Sequence, residues 1–146
     1  MSTEEPIDIR LPNLINRESS LMYFNERVLA MADNPDIPLL ERLRYICIVS
    51  SNLDESFEIR IASLKKQQET DPTMIGPDGR TPAQAFEHVQ KQVHGLVDRQ
   101  YTLLNQDILP KLRNRGVYIY RSHEFTEPML AWAKSVFVEE IQPLLT

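Results

Sequence analysis

The strongest constraint on the fold is a long helical repeat in the second half of the chain, which opens with a complete helix-start signal. Thr81-Pro82-Ala83-Gln84 places a threonine at the N-cap, a proline at the first helical position and a glutamine at the third. Apolar residues then recur at steps of three and four for about six turns, which is the spacing of one helix face. These residues are Phe86, Val89, Val93, Leu96, Val97, Tyr101, Leu104 and Ile108.

Three helices are predicted before this one. The first follows an extended lead-in over residues 1–17, starts near Ser20 and should end before Pro35, because a proline pushes the preceding residue out of the helical region. Its apolar face is Leu21, Phe24, Val28 and Met31 or Ala32. The second has Pro38 in its first turn and a buried stripe of Leu39, Leu40, Leu43, Ile46 and Cys47.

Residues 50–52, Ser-Ser-Asn, interrupt this apolar pattern with side chains that bond readily to nearby backbone. They predict a break or kink and a new helix N-terminus, followed by the apolar positions Leu53, Phe57, Ile61 and Leu64. The prolines and glycines of residues 70–80 predict a long loop.

The last thirty residues carry weaker signals. Residues 117–120, Val-Tyr-Ile-Tyr, are a short strand candidate, and Thr126-Glu127-Pro128 starts another helix that Pro143 should stop. The fold class expected from all these patterns is all-α, an antiparallel bundle of four to five helices with one long loop. The aromatic residues at helical spacing, such as Phe24 and Tyr101, are interpreted as core.

Composition narrows the class of protein. The chain has 42% apolar and 25% charged residues and a net charge of -5, which is typical of a globular domain and argues against a nucleic-acid binder. Cys47 is the only cysteine, so an internal disulfide is excluded and a cytoplasmic location is expected. The sequence contains no run of 18 apolar residues, so no membrane span is predicted. The apolar residues 141–146 suggest a piece of a longer chain.

The chain offers few candidate catalytic groups. Its four glycines form no phosphate-binding loop, and His88, His94 and His123 have no metal-ligand spacing, so no catalytic or metal-binding residue is predicted. The segment Ser50–Glu55 leaves two interpretations open. It is either a capped helix junction or a polar binding edge in which the Asn52 amide both donates and accepts hydrogen bonds.

Three motifs in order resemble one known family. Residues 16–29 (NRESSLMYFNERVL), 38–44 (PLLERLR) and 50–55 (SSNLDE) are similar, in wording and spacing, to the N-terminal domain of polyphosphate kinases of the phosphohistidine type. The resemblance is dense over residues 16–64. It implies a helical N-terminal domain at residues 18–116, and residues 117–146 as the start of the following domain.

The resemblance also implies a function. Family members move the terminal phosphate of ATP reversibly onto inorganic polyphosphate through a phosphorylated histidine, and the position of Asn52 contacts the nucleotide. The histidine and the magnesium ligands lie in later domains, so this fragment alone should be inactive. The implied partners are the remaining domains of the same polypeptide, ATP and polyphosphate, in a homo-oligomer when full length.

Two positions depart from the family pattern: Leu21 stands where relatives commonly have tryptophan, and Ser56 where they have phenylalanine.

Two other functions stay open beside the family one. The first is a stand-alone helical protein–protein interaction module with an uncovered apolar surface. The second, a nucleic-acid binder using Arg42, Arg44 and Arg60 with Lys65 and Lys66, is disfavoured by the acidic residues among them.

Overall fold

The computed structural model describes residues 14–145, which fold into helices joined by short connections and one longer loop. No residue in this range belongs to a β-strand. The chain divides into two compact units, with the boundary between Lys111 and Leu112. The predicted lead-in lies mostly outside the described range, and its last residue, Arg17, already starts the first helix.

The first unit is built from three helical rods. The first rod is α1, Arg17–Asp33. The second runs without interruption through α2 (Leu39–Glu55), a π-helical segment π1 (Ser56–Ile61) and α3 (Ala62–Thr70). The third runs through α4 (Pro82–Leu103), π2 (Leu104–Ile108) and α5 (Leu109–Arg113), whose end reaches into the second unit. Helix α1 packs against α2 and α4, and α3 packs against α4.

The second unit contains a 3₁₀ turn (Ser122–Glu124) and a fourth rod, formed by α6 (Glu127–Val136), π3 (Phe137–Ile141) and α7 (Gln142–Leu145). The predicted fold class, an all-α bundle of four to five helices with one long loop, is confirmed. The strand prediction for residues 117–120 is wrong, because they have no regular structure and no partner strand within residues 14–145. The stacked rings of Tyr118 and Tyr120, 6.0 Å apart, occupy this segment instead.

Two prolines lie inside rods, each two residues after a π-helical segment. Pro110 follows π2 and Pro143 follows π3, so the prediction that Pro143 stops its helix is wrong. A proline ring normally clashes with the carbonyl one turn earlier. The N–H groups of Leu109 and Gln142 reach back five residues, to the carbonyls of Leu104 and Phe137, so the backbone is already widened where each ring follows.

The buried face of α1 differs from the predicted one. Its buried residues recur at steps of three and four, and they are Ser19, Met22, Asn25, Leu29 and Ala32. Of the predicted apolar face only Ala32 is fully buried, whereas Phe24 and Met31 are more than 40% exposed. The prediction counted only apolar residues, and two of the buried positions are polar.

The buried face of α2 is Leu39, Arg42, Ile46, Val49 and Leu53. The prediction was wrong for Cys47 and Leu40, which are exposed. The predicted break at residues 50–52 was also wrong, since α2 continues to Glu55. Two of the three polar side chains there have partners on neighbouring helices: the Ser50 Oγ accepts from Gln100 Nε2 (2.7 Å), and Asn52 Nδ2 donates to Asn25 Oδ1 (2.8 Å).

The start of α4 is confirmed as a capping box. The Thr81 hydroxyl accepts from the Gln84 backbone N–H, and the Gln84 side chain accepts from the Thr81 N–H. The connection before it, residues 71–81, is the predicted long loop, and Gly79 adopts a positive φ of 77° in a turn. The third rod is buried along one face through Ala85, Val89, Val93, Leu96, Gln100 and Ile108, while Tyr101, predicted as core, is 59% exposed.

Candidate functional site

An open groove of about 460 Å³ runs between α1 and the junction of α2 with π1. Its volume falls in the range of small-molecule sites, which is about 300–1,000 Å³. Five residues on each side line it: Arg17, Ser20, Leu21, Phe24 and Arg27 from α1, and Asn52, Glu55, Ser56, Ile59 and Arg60 from the second rod. The groove therefore brings together two of the three sequence motifs, residues 16–29 and residues 50–55.

Asn52, the predicted site residue, lines this groove from the last turn of α2. It is half-buried and lies inside a continuous helix, so it is not at a helix N-terminus as the broken-helix prediction required. The capped-junction interpretation of the segment fails for the same reason. Asn52 Nδ2 donates to Asn25 Oδ1 (2.8 Å), and no residue in 14–145 donates to Asn52 Oδ1.

Asn25 is the polar residue that the sequence prediction missed. Its side chain is completely buried (0% exposed), and its Nδ2 donates to the Leu21 carbonyl (3.0 Å) while its Oδ1 accepts from Asn52. Both sides of its amide are thus used, as a buried amide requires. A signal was present in the sequence, since Asn25 falls between Met22 and Leu29 at steps of three and four, on the same face as both.

Ser56 starts the wide turn of π1 beside Asn52. Its hydroxyl donates to the Asn52 carbonyl (2.5 Å), its backbone N–H points to the same carbonyl, and the residue is 2% exposed. Ser56 and Leu21, the two positions that depart from the family pattern, both line the groove. Both departures are therefore located at the groove, although the Ser56 side chain is buried there.

The groove has a positive lining in a chain whose net charge is -5. Arg17, Arg27 and Arg60 line it with a single carboxylate, Glu55, and none of these four forms an ion pair within the part of the chain that the structure describes. The Arg27 guanidinium lies over the Phe24 ring at 5.8 Å and donates to the Tyr23 carbonyl. An anionic ligand with an apolar part suits this lining.

The remaining candidate residues do not gather at a site. Among residues 14–145 no group of three His, Cys, Asp or Glu side chains is placed to hold a metal ion. The three histidines do not line the groove. Arg42, one of the basic residues considered for nucleic-acid binding, is 4% exposed and donates to the Ala32 carbonyl and to Asp107 (both 2.6 Å), so it cannot reach a phosphate backbone.

The fold is a helical module with an open groove that three arginines line. The sequence profile of the polyphosphate kinase N-terminal domain matches residues 14–120. The chain belongs to this family. Three proteins named polyphosphate kinase are similar to this chain. The one from Burkholderia multivorans is 46% identical to it over 140 residues, the one from Burkholderia vietnamiensis 47% over 133 residues and the one from Paraburkholderia phytofirmans 44% over 140 residues.

These alignments cover 96%, 91% and 96% of this chain but only 20%, 19% and 20% of the respective relatives, so the chain spans about a fifth of their length. No solved structure matches the chain. Within residues 14–145, every helix is too short or too polar to cross a bilayer.

Proposed function

We propose that this chain is the N-terminal nucleotide-site module of an ATP–polyphosphate phosphotransferase, which moves the terminal phosphate of ATP reversibly onto inorganic polyphosphate. The observation that carries the proposal is the Asn52 amide on the groove between α1 and π1, with its oxygen unused by residues 14–145. The similarity to proteins named polyphosphate kinase supports the reaction class.

The groove suits the base end of ATP. An adenine ring would lie against the apolar side chains of Phe24 and Ile59, which are 45% and 55% exposed, and its amino group would donate to Asn52 Oδ1. The guanidinium groups along the groove would attract the phosphates without forming a catalytic site. Asn52 is therefore proposed as a nucleotide-binding residue, not as a catalytic residue.

The chemistry of the transfer belongs to other domains in this proposal. Phosphoryl transfer depends mostly on positioning and on charge stabilisation, so one module can hold the base while others hold the phosphates, the magnesium ion and the reactive histidine. Residues 18–116 are then the N-terminal domain, and residues 117–146 begin the domain that follows. A cytoplasmic location and a homo-oligomeric complete enzyme remain predictions.

Replacing Asn52 by alanine in the complete enzyme tests the proposal. We expect the KM for ATP to rise about tenfold, because a hydrogen bond to a desolvated partner is lost. The measurement is steady-state kinetics at varied ATP and fixed polyphosphate. Gln90→Ala, which removes an exposed amide from α4, is the control and should leave the KM unchanged. An unchanged KM for Asn52→Ala would overturn the assignment.

A stand-alone interaction module remains the second candidate, and one observation favours it. The second unit exposes large apolar side chains, with Trp132 70% and Leu144 84% exposed. In the main proposal the remaining domains of the same polypeptide cover this surface; in the alternative a separate protein does. The coding sequence beyond Thr146 distinguishes them, because only the main proposal requires it to encode the histidine-bearing domains.

A further inference from the structure

Asn25 does not line the groove, but it is hydrogen-bonded to Asn52, which does. It is completely buried in α1, and it accepts a 2.8 Å hydrogen bond from Nδ2 of Asn52. A buried asparagine on the core face of a helix costs stability unless both ends of its amide are paired. Both ends are paired here, in a fixed order.

The order of the hydrogen bonds determines how both amides are oriented. The Leu21 carbonyl can only accept, so the Asn25 NH₂ group must face it, at 3.0 Å. The Asn25 oxygen then faces Asn52, and only the Asn52 NH₂ group can meet it. A flipped Asn52 amide would place two acceptor oxygens against each other. The backbone of α1 thus fixes, through Asn25, which atom of Asn52 remains for a ligand.

We propose that Asn25 is a positioning residue that holds Asn52 with its oxygen available to a ligand, and so sets a preference for a base that carries an amino group at that edge. Adenine has this donor, whereas hypoxanthine and guanine have an oxygen there. The inference rests on the proposed function, because it assumes that the base lies beside Asn52. When a base places an oxygen opposite the fixed Asn52 oxygen, two acceptors face each other, and we expect kcat/KM for that nucleotide to be lower by about tenfold or more.

The test is Asn25→Leu in the complete enzyme, with kcat/KM measured for ATP and for inosine triphosphate, which has an oxygen in place of the adenine amino group. Leucine cannot hold the Asn52 amide, so Asn52 can flip and donate to that oxygen. We expect the ratio of ATP to inosine triphosphate to fall about tenfold, with kcat/KM for inosine triphosphate rising. A purely structural role for Asn25 would lower kcat/KM for both nucleotides alike and leave the ratio unchanged.

Three further variants make the test specific. Asn25→Asp keeps an acceptor for Asn52 Nδ2, and its buried carboxyl in the protonated form donates to the Leu21 carbonyl in place of the amide, so the ratio should stay within about twofold of the wild-type value. Gln100→Leu removes another buried amide, one that donates to the Ile46 carbonyl and to Ser50 away from the groove, and it should leave the ratio unchanged. If Asn25→Leu does not fold, Asn25→Ala removes the amide with a smaller side chain and should show the same loss of selectivity.

The outcomes separate the two proposals. If Asn52→Ala raises the KM for ATP but Asn25→Leu and Asn25→Ala keep the wild-type ratio, the positioning role is overturned and the nucleotide site stands. The positioning role is also overturned if Asn25→Asp loses selectivity as fully as Asn25→Leu. If neither Asn52→Ala nor Asn25→Leu changes the KM or the ratio, the proposed nucleotide site itself fails.

Discussion

Arg42 joins three segments of the first unit through one almost fully buried guanidinium group. Its Nε donates to the Ala32 carbonyl near the end of α1, and its Nη2 donates to Asp107 in π2, both at 2.6 Å. Asp107 is also paired with Lys111 at 2.5 Å. A buried charge is tolerated only when it is paired and hydrogen-bonded, and Arg42 meets both conditions.

The ion pairs of Asp107 predict a dependence of stability on pH. The hydrogen bond from Lys111 lowers the pKa of Asp107, partial burial opposes this, and Arg42 lowers the pKa further. A carboxylate with a lowered folded-state pKa stabilises the fold above its unfolded pKa, about 3.9 for aspartate, and this stability is lost as the pH falls through the folded value. We expect the free energy of unfolding of Asp107→Asn to fall less between pH 7 and pH 3 than that of the wild type.

Urea unfolding at the two pH values measures this difference. Asp54→Asn is the matched control, because Asp54 is exposed in α2 and the same charge is removed. Equal falls for Asp107→Asn and the wild type would show that the three-way contact of Asp107 contributes no pH-dependent stability.

At the scale of the elements, local signals located two helix ends correctly, whereas the predicted break at residues 50–52 and the predicted stop at Pro143 were wrong. The Thr81 cap and the end of α1 before Pro35 are readable from sequence because the groups that form them are within four residues of each other. The faces of α1 and α2 are not, because Asn25, Arg42 and Ser50 are paired with residues far away in the chain. The π-helical segments also gave no signal beyond the two prolines that follow π2 and π3.

The capping box of α4 predicts a measurable stability change. Thr81→Ala removes the acceptor for the Gln84 N–H, and we expect the free energy of unfolding of the chain to fall by about 1 kcal/mol. Urea denaturation followed by circular dichroism measures it. Thr102→Ala replaces an exposed threonine within α4 and should change stability by less than about 0.5 kcal/mol. A Thr81→Ala effect as small as that of Thr102→Ala would contradict the capping role.

At the scale of the whole molecule, the sequence predicted the family and the candidate residue, but not the site. Asn52 was identified through resemblance to a family and not through its spacing. The groove depends on Leu21 and Phe24 lying outside the core, which the apolar pattern of α1 argued against. A groove between two helices can be predicted only when the buried face of each helix is known. The buried face of α1 was hard to predict because two of its residues are polar.

The isolated chain provides a prediction at this scale. We expect it to transfer no phosphate from ATP to polyphosphate, because the proposed module contacts the base and supplies no histidine at the groove. Incorporation of labelled phosphate from ATP into polyphosphate is the measurement, with the complete enzyme as positive control. Labelled polyphosphate formed by this chain alone would overturn the division of roles between domains.

Cys47, the sole cysteine of the chain, is exposed on α2. It lies five residues before Asn52, which at 3.6 residues per turn places the two side chains about 140° apart around the helix axis and roughly 7.5 Å apart along it. A fluorophore attached to this thiol would therefore lie on a different side of α2 from Asn52 and would not fill the groove. The chain thus carries a built-in labelling position from which the arrival of a ligand can be followed by emission.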